Sequence, residues 1–399
     1  MDLKSVMEAD VAVIGGGATG IFTALDLTLR GLSVILIEKG SLLSGTSGKF
    51  HGLLHSGARY AVDDKQAAKE CREESKTLAR MAPFAIVSRG GFFVHLKGEQ
   101  DRYIDTFVNA LAQCGISFEK IEVASLLKVE PQLTKEVDFA VKVDDMVLDP
   151  FRFFYSAATY AKRKGAKFLL RNRVSELNPS RKVIKTDKGD VKAKIVVNAT
   201  GPWAAKLLRA SGKEIELMPA LGIMLVYERK LVHSVINRLR APSDGDIIVP
   251  FYERSILGTT AQLVEDVDKI EISEDDIKLL QEQGAQLIPS ISDLQYSRLY
   301  FSARPLVRGG DPRETTRDFQ VIDDDWIISV IGGKLTTSRL MAESVSDLVC
   351  EKLGLKAESQ TKSLRLSSAF ESTPVKGSIA EEVYEPGMSL ALAEEKISS

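Results

Sequence analysis

Residues 10–20 read Asp10-Val-Ala-Val-Ile14-Gly15-Gly-Gly-Ala-Thr-Gly20, and the fold turns on that run. Val11 to Ile14 make a short continuous apolar stretch of the kind buried in a parallel sheet. Ile21, Leu25 and Leu29 then recur at helical spacing, with Gly31 where a helix stops. Residues 33–37, Ser-Val-Ile-Leu-Ile, read as a second buried strand ending on Glu38. Gly15, Gly17 and Gly20 thus sit in a G-x-G-x-x-G turn inside one β-α-β unit. Such glycines let the backbone approach a pyrophosphate whose charge meets the helix N-terminus. Glu38 is placed to accept hydrogen bonds from ribose hydroxyls, which disfavours a 2′-phosphorylated ribose. A glycine turn alone often binds nothing; strand, helix, second strand and acid in order make a dinucleotide fingerprint.

The rest of the composition narrows the class. The 399 residues are 44% hydrophobic and 27% charged, with a net charge of -2, enough chain for two or three domains. No basic excess is available to neutralise phosphates, so no nucleic acid is expected as a partner. Cys71, Cys114 and Cys350 are odd in number and far apart, which argues for a reducing compartment and against a zinc or iron–sulfur ligand set. No metal site is expected. Residues 1–10 lack the apolar core of a signal peptide, and residues 11–37 are interrupted by glycines, Asp26 and Arg30, so neither reads as a membrane segment.

Further along, helices are expected over 63–81, 99–114 and 149–164, with strands at 92–96, 166–170 and 193–198. Residues 217–305 change character: strand-like runs at 221–227, 247–251 and 256–259 and a helix at 274–287 suggest an inserted, largely antiparallel unit. A buried strand at 326–331 and a helix at 335–353 follow. The fold class expected is therefore α/β: a Rossmann-like nucleotide-binding domain from 1–80, 145–215 and 316–355, with an α+β substrate domain from 81–144 and 216–315. Residues 356–399 are rich in Ser, Thr, Glu and Lys and read as a tail. Residues 388–397 within it are a candidate amphipathic docking segment, although chain ends of this kind are more often disordered.

The fingerprint serves NAD and FAD alike, and two later segments favour the flavin. Val196-Val-Asn-Ala-Thr-Gly-Pro-Trp203 is a buried strand running into Ala199, Thr200 and Gly201. Trp326-Ile-Ile-Ser-Val-Ile-Gly-Gly-Lys-Leu-Thr-Thr337 is a strand feeding a helix N-terminus, whose dipole favours the negative charge gained on flavin reduction. The loop Gly45-Thr-Ser-Gly-Lys-Phe-His-Gly-Leu-Leu-His-Ser-Gly-Ala-Arg-Tyr60 is the other unusual feature, with four glycines and two of the four histidines.

Residues 46–60, Ile-Leu-Gly-Thr-Thr (256–260), Ser-Ala-Arg-Pro-Leu (302–306) and Gly-Gly-Lys-Leu-Thr-Thr-Ser-Arg (332–339) resemble the FAD-dependent glycerol-3-phosphate dehydrogenases. The likeness spans roughly residues 8–355 and is strongest to the anaerobic A-subunit type and its archaeal relatives, within the D-amino-acid-oxidase-like superfamily. It implies a glutathione-reductase-2 type fold, non-covalent FAD, and oxidation of sn-glycerol 3-phosphate to dihydroxyacetone phosphate. Electrons would pass to quinone or to a separate membrane-anchoring protein. The expected location is cytoplasmic, peripheral on the membrane face through that partner; the sequence leaves the oligomeric state open, a homodimer being one assembly compatible with it. Bacterial relatives of this type continue into a cysteine-rich domain that this sequence does not contain, so electron exit through a partner is the expectation. Ala261-Gln262 stand where relatives carry an aspartate, and that contact is not carried over.

The resemblance and the fingerprint assign cofactor contacts to Gly15, Gly17, Ala18, Thr19, Gly20, Glu38 and Lys39. Thr46, Ser47, His51, Gly52 and Leu53 of the loop join them, with Val174, Ala199, Thr200 and Gly201. Gly333, Lys334, Leu335 and Thr336 complete the set. A dianionic phosphate needs fixed cations, and Arg59, Arg317 and Lys334 are the candidates, beside Tyr60 and Arg304. Taken singly, Arg59, Arg317 and Lys334 each read as an ordinary surface ion-pair residue. Their concurrence beside glycine turns favours a functional role for Arg59 and Lys334, while Arg317, in the charged stretch 311–325, is nearly as well read as a solvated residue. Removing the C2 hydroxyl proton calls for a group titrating near neutrality, which points to His55. Arg304 stays protonated and instead stabilises developing alkoxide charge, and Lys334 completes the catalytic set. His95 reads as structural, and His233 is left unassigned. Two other functions fit the same fold: a 2-hydroxyacid (2-hydroxyglutarate-like) or amino-acid dehydrogenase or oxidase, and a non-catalytic flavin-holding assembly protein.

Overall fold

A computed structural model describes residues 6–209, 212, 215–306, 318–369, 394 and 397–398. The opening strand Met7–Ile14 lies at the centre of an eight-stranded sheet, paired in parallel with Val34–Ile37 on one side and Gly189–Asn198 on the other. Ile327–Gly332 extends the sheet in parallel beyond Gly189–Asn198, and Lys167–Leu169 does so beyond Val34–Ile37. Three strand ends therefore converge: Ile14 stands opposite both Ile37 and Asn198, and Asn198 stands opposite Ser329. A ligand of such a sheet sits outside its carboxyl edge. Val174–Asn178 and Val183–Thr186 add an antiparallel ribbon, and Phe319–Asp324 an antiparallel edge.

Helix Ala18–Leu29 buries Ile21, Phe22 and Leu25 against this sheet. Phe22 meets Phe153 and Phe154 edge-on, with ring centroids 5.8 and 5.4 Å away. Those rings come from helix Pro150–Arg163, which starts where it does because Asp149 accepts the Phe151 and Arg152 N–H groups and Pro150 occupies the first turn.

The second sheet has ten strands among the described residues and is antiparallel except where Val235–Arg238 runs parallel to Ile86–Leu96. Its long members are Ile86–Leu96, Val137–Leu148, Met218–Tyr227 and Arg298–Leu306. Leu53–Leu54, from the glycine-rich loop, pairs with Val137–Leu148, so that loop leaves the first sheet and is stitched to the second. Helix Glu274–Leu287 covers one face and begins with a capping box between Ser273 and Asp276.

Several element ends differ from the sequence expectation, each for a local reason. The helix expected over 63–81 is Lys65–Met81, because Asp64 turns its carboxylate onto the Ala67 N–H as the cap. The one expected from residue 99 starts at Arg102, since Glu99 is drawn to the Leu96 N–H and the Arg238 guanidinium. The closing helix is Ser338–Lys352, with residues 334–337 forming a turn in which the Lys334 N–H donates to Thr337 Oγ1.

Residues 356–369, expected to open a tail, pack onto the first sheet's helices. Arg30 donates to the Ala357 carbonyl, Ser359 to Asp26, and Arg339 to Thr361 Oγ1. Most of residues 388–397 lies outside the described residues. Within that span, Glu394 accepts a hydrogen bond from Tyr155 and pairs with Arg171, and Ile397 is buried. Among the described residues, no helix is long and apolar enough to cross a membrane.

Candidate active site

The carboxyl edge of the first sheet opens into a cavity of about 910 Å³ whose wall is drawn from both sheets. One part of that wall is the glycine turn. Gly15 has φ +111, and a Cβ on Gly20 would stand 1.9 Å from the Gly15 carbonyl oxygen. Gly20 itself does not line the cavity. It serves the turn by letting the first helical turn close over the strand end. Gly17 caps helix Ala18–Leu29 without a side chain, and the Ala18 N–H donates instead to Ser47 Oγ at 3.0 Å. Glu38 Oε2 accepts the Gly16 N–H at 2.7 Å and Oε1 the Gly40 N–H at 2.8 Å. The acid therefore braces the turn, while each of its oxygens keeps a second lone pair for a sugar hydroxyl.

Asn198, fully buried, organises the next stretch of wall. Its amide donates to Ser329 Oγ and the Ala204 carbonyl, both at 3.2 Å, and its oxygen accepts the Thr200 hydroxyl at 2.7 Å. Ala199, Thr200 and Gly201 follow on the wall. Lys39 crosses the same region with Nζ 4.0 Å from the Trp203 ring, and Trp203 donates to Asp268 at 2.7 Å. Val174, Gly333, Leu335 and Thr336 complete the lining assigned from sequence. Positive φ at Gly332 and Gly333 swings the chain from strand into the turn that presents Lys334. A helix N-terminus capped by a glycine without a side chain, a glycine turn with room for pyrophosphate and an accepting acid at the second strand end are the donors and acceptor a dinucleotide cofactor requires.

The loop over residues 45–60 forms the remaining wall. It is sewn to strand Arg298–Leu306: Thr46 donates to the Ala303 carbonyl at 2.7 Å, Ser302 to Lys49 at 3.0 Å and Tyr300 to Phe50 at 2.9 Å. Gly52 is off the wall; its carbonyl accepts the Leu148 N–H at 2.7 Å and turns the loop into the second sheet. His51 is nearly buried and accepts the Leu53 N–H on Nδ1 at 3.2 Å. Burial, then the nearby Arg304 and Arg59 charges, push its pKa down to about 3, so it is a neutral imidazole.

The groups assigned to the substrate come together on this wall. His55 packs edge-on against Tyr60, ring centroids 5.2 Å apart, and Lys334 Nζ stands 4.7 Å from the Tyr60 centroid. The Arg59 guanidinium is 2.8 Å from Asp246. Arg304 Nη2 donates to the carbonyls of Thr260 and, at 3.4 Å, Leu221. Arg317 lies outside the described residues.

Two carboxylates behind the wall are absent from the sequence assignment. Asp145, fully buried, takes the Ser56 N–H at 2.7 Å and the Asn237 amide at 3.1 Å, and burial raises its pKa. Asp246 sits in Pro242-Ser-Asp-Gly-Asp246, which reads as an ordinary polar turn; only its pairing with a residue 187 positions away distinguishes it. Cys71 is buried with its thiol pushed up to about 12 by that burial, which leaves it unreactive. His95, expected to be structural, bonds Asp138 through Nδ1 at 2.7 Å, with Asp101 4.0 Å from Nε2, and none of these three lines the cavity.

Comparison with known proteins agrees with this architecture. Residues 10–348 match the family model of the FAD dependent oxidoreductases (DAO). The chain is 39% identical over 380 residues to the A1 component of the anaerobic glycerol-3-phosphate dehydrogenase of Haloferax volcanii, covering 88% of this chain and 65% of that one. It is 35% identical over 395 residues to the A component of the Escherichia coli K12 enzyme, covering 94% and 73%. It thus spans about two thirds of the length of such relatives. Among solved structures, FAD-bound L-alpha-glycerophosphate oxidase from Mycoplasma pneumoniae superposes with a TM-score of 0.74 at 18% identity, covering 89% of this chain and 97% of that one. On this fold, this glycine turn and these likenesses, the chain belongs to the DAO family of FAD-dependent oxidoreductases, alongside the A components of anaerobic glycerol-3-phosphate dehydrogenase.

Proposed function

We propose that the protein oxidises sn-glycerol 3-phosphate to dihydroxyacetone phosphate. The observation that supports this most is the clustering of Arg59, Lys334, His55, Tyr60 and Arg304 on the wall of the same cavity as the dinucleotide cradle. Bound FAD supplies an isoalloxazine ring able to accept the hydride that leaves C2. The protein's own groups do the rest. Arg59 and Lys334 hold the phosphate dianion, and two fixed cations suit a doubly charged group better than a single carboxylate. An imidazole nitrogen of His55 takes the C2 hydroxyl proton as the hydride departs, so the alcohol loses one proton and one hydride in all. Arg304, its guanidinium held by two backbone carbonyls, stabilises the charge that develops on the C2 oxygen. His51, neutral and held by the Leu53 N–H, lines the cavity with its proton on Nε2 and would supply that donor to a bound cofactor. Electrons leave to a quinone or to a separate electron-accepting protein, and membrane association belongs to that encounter.

The test is anaerobic. Mixing the yellow protein with sn-glycerol 3-phosphate should bleach the flavin band near ~450 nm, a property of the cofactor itself, with one dihydroxyacetone phosphate formed per flavin reduced. Bleaching by 2-hydroxyglutarate or an amino acid in its place would overturn the substrate assignment. In the same assay Arg59→Ala should raise KM far more than it lowers FAD content.

A further inference from the structure

Asp246 does not touch the cavity, yet it is tied to the one arginine of the glycine-rich loop that does. Its carboxylate is 1% exposed and is gripped from three directions. Oδ2 accepts Arg59 Nη2 at 2.8 Å and the Ser243 N–H at 2.7 Å, and Oδ1 accepts Arg240 Nε at 2.9 Å. Arg240 is held in turn by Gln283 at 2.8 Å, on helix Glu274–Leu287. Gln283 also accepts from Arg238, whose Nε donates to Glu99 at 2.8 Å. A ladder of charged and amide side chains thus runs from the second sheet to the cavity wall, with Glu99 also 3.8 Å from Arg240, and ends on Arg59.

We infer that Asp246 is the positioning residue that makes Arg59 a fixed anion receptor, and so sets the preference of this site for a phosphate-bearing substrate; the inference rests on the phosphate-binding reading of Arg59. Arginine is a long side chain that would lose much of its freedom on meeting an anion, and a receptor already held in place avoids that loss at the moment of binding. The carboxylate can hold Arg59 without cancelling the site's positive charge because Arg240 balances it from behind. Within the network of Glu99, Arg238, Arg240, Asp246 and Arg59, three guanidinium groups against two carboxylates leave one net positive charge. Of these five side chains it is Arg59 that lines the cavity, on a wall that also carries Asp63 and Asp244. The Ser243 N–H and Arg240 keep Asp246 from following Arg59 when a ligand pulls on it. Asp246 touches neither substrate nor cofactor in this scheme and acts through Arg59 alone.

The test is a double-mutant cycle on the FAD-loaded protein, read in anaerobic flavin reduction by sn-glycerol 3-phosphate. Asp246→Asn should raise the half-saturating concentration about 10-fold or more and lower the limiting reduction rate by less than about 3-fold. In an Arg59→Ala background the same substitution should change half-saturation by less than about 2-fold, because its route to the ligand is already gone. Additive effects in the two backgrounds, or a fall in rate with half-saturation untouched, would overturn the inference. If Asp246→Asn fails to fold with FAD, Asp246→Glu keeps the charge, displaces Arg59 by one methylene and should show the same cycle.

Inorganic phosphate, titrated against the flavin spectrum, runs the cycle without turnover. Coupling between positions 59 and 246 in phosphate binding, with no bleaching of the wild type by sn-glycerol 3-phosphate, would retire the substrate reading and keep this inference. Bleaching with no coupling would do the reverse. A wild type that neither bleaches nor binds phosphate removes both.

Discussion

His51 Nδ1 accepts the backbone N–H of Leu53 at 3.2 Å, so the proton of this buried, neutral imidazole resides on Nε2. Its folded pKa of about 3 lies below the ordinary value of 6.5. The sign follows: between those two values the unfolded chain binds a proton at His51 that the folded chain does not, so stability is complete above 6.5 and is lost as pH falls. The slope this group contributes is at most about 1.4 kcal/mol per pH unit. His51→Asn should flatten the acid side of a Tm-against-pH curve by part of one proton's worth. A curve as steep as wild type between pH 4 and 6 would show that His51 is protonated in the folded protein. The pH profile of flavin reduction, assigned to His55, should survive His51→Asn and be lost in His55→Asn.

Gly17 and Gly20 are separated by one turn of backbone but answer to different demands. A Cβ on Gly20 would lie 1.9 Å from the Gly15 carbonyl oxygen, a backbone atom that cannot move without opening the strand-to-helix turn. A Cβ on Gly17 meets only Ser47 Oγ, at 3.1 Å, and lies on the cavity wall. Gly20→Ala should therefore destabilise the protein with or without FAD, by about 2 kcal/mol or more. Gly17→Ala should leave the FAD-free protein within about 1 kcal/mol of wild type and weaken FAD binding. Urea titrations of both forms separate the two, and equal losses in the FAD-free forms would refute the distinction.

That contrast also marks how far the sequence could be read. The turn at Gly15 to Gly20 was legible because a pyrophosphate cradle needs glycines at a fixed spacing between a strand and a helix, and local chemistry of that kind survives in the one-dimensional record. The convergence of residues 46–60, 199–201 and 333–336 on one cavity was legible through resemblance. Asp145 and Asp246 were not, because a buried carboxylate is indistinguishable in sequence from a turn residue until its partner is known, and their partners, Ser56 and Arg59, lie 89 and 187 residues away. Residues 356–369 misled for a related reason: their polar composition suggests a solvated end, yet Ser359 and Thr361 are spent on the buried Asp26 and Arg339.

Tyr60 stands between His55 and Lys334, and its ring makes the contact with each. A cation over an aromatic face gains about 0.5–2 kcal/mol, more as it is desolvated. Tyr60→Phe keeps the face and should hold kcat/KM for sn-glycerol 3-phosphate within about 3-fold of wild type. Tyr60→Leu removes the face and should lower kcat/KM about 10-fold, the equivalent of about 1.4 kcal/mol. If Phe and Leu fall together, the phenolic hydroxyl is the part that matters and the ring contacts are incidental.

Arg339 is the largest fully buried side chain among the described residues, and it is buried as an ion. Nε and Nη2 donate to the two oxygens of Glu74 at 2.7 and 2.6 Å, and Nη1 reaches Glu343 and Thr361. Helix Ser338–Lys352, helix Lys65–Met81 and the segment after residue 355 are thereby joined at one guanidinium. A carboxylate as buried as Glu74 is costly once its partner is removed, whereas an apolar pair in the same space has no charge to desolvate. Arg339→Met should thus cost about 3–5 kcal/mol, while Arg339→Met with Glu74→Leu should recover most of that loss. Denaturant unfolding of the FAD-loaded protein, followed by released flavin fluorescence, measures both. A double variant as unstable as the single would mean that packing of the arginine stem, and not the stranded charge, carries the cost. Flavin reduction by sn-glycerol 3-phosphate should be unchanged in the double variant, since neither residue lines the cavity.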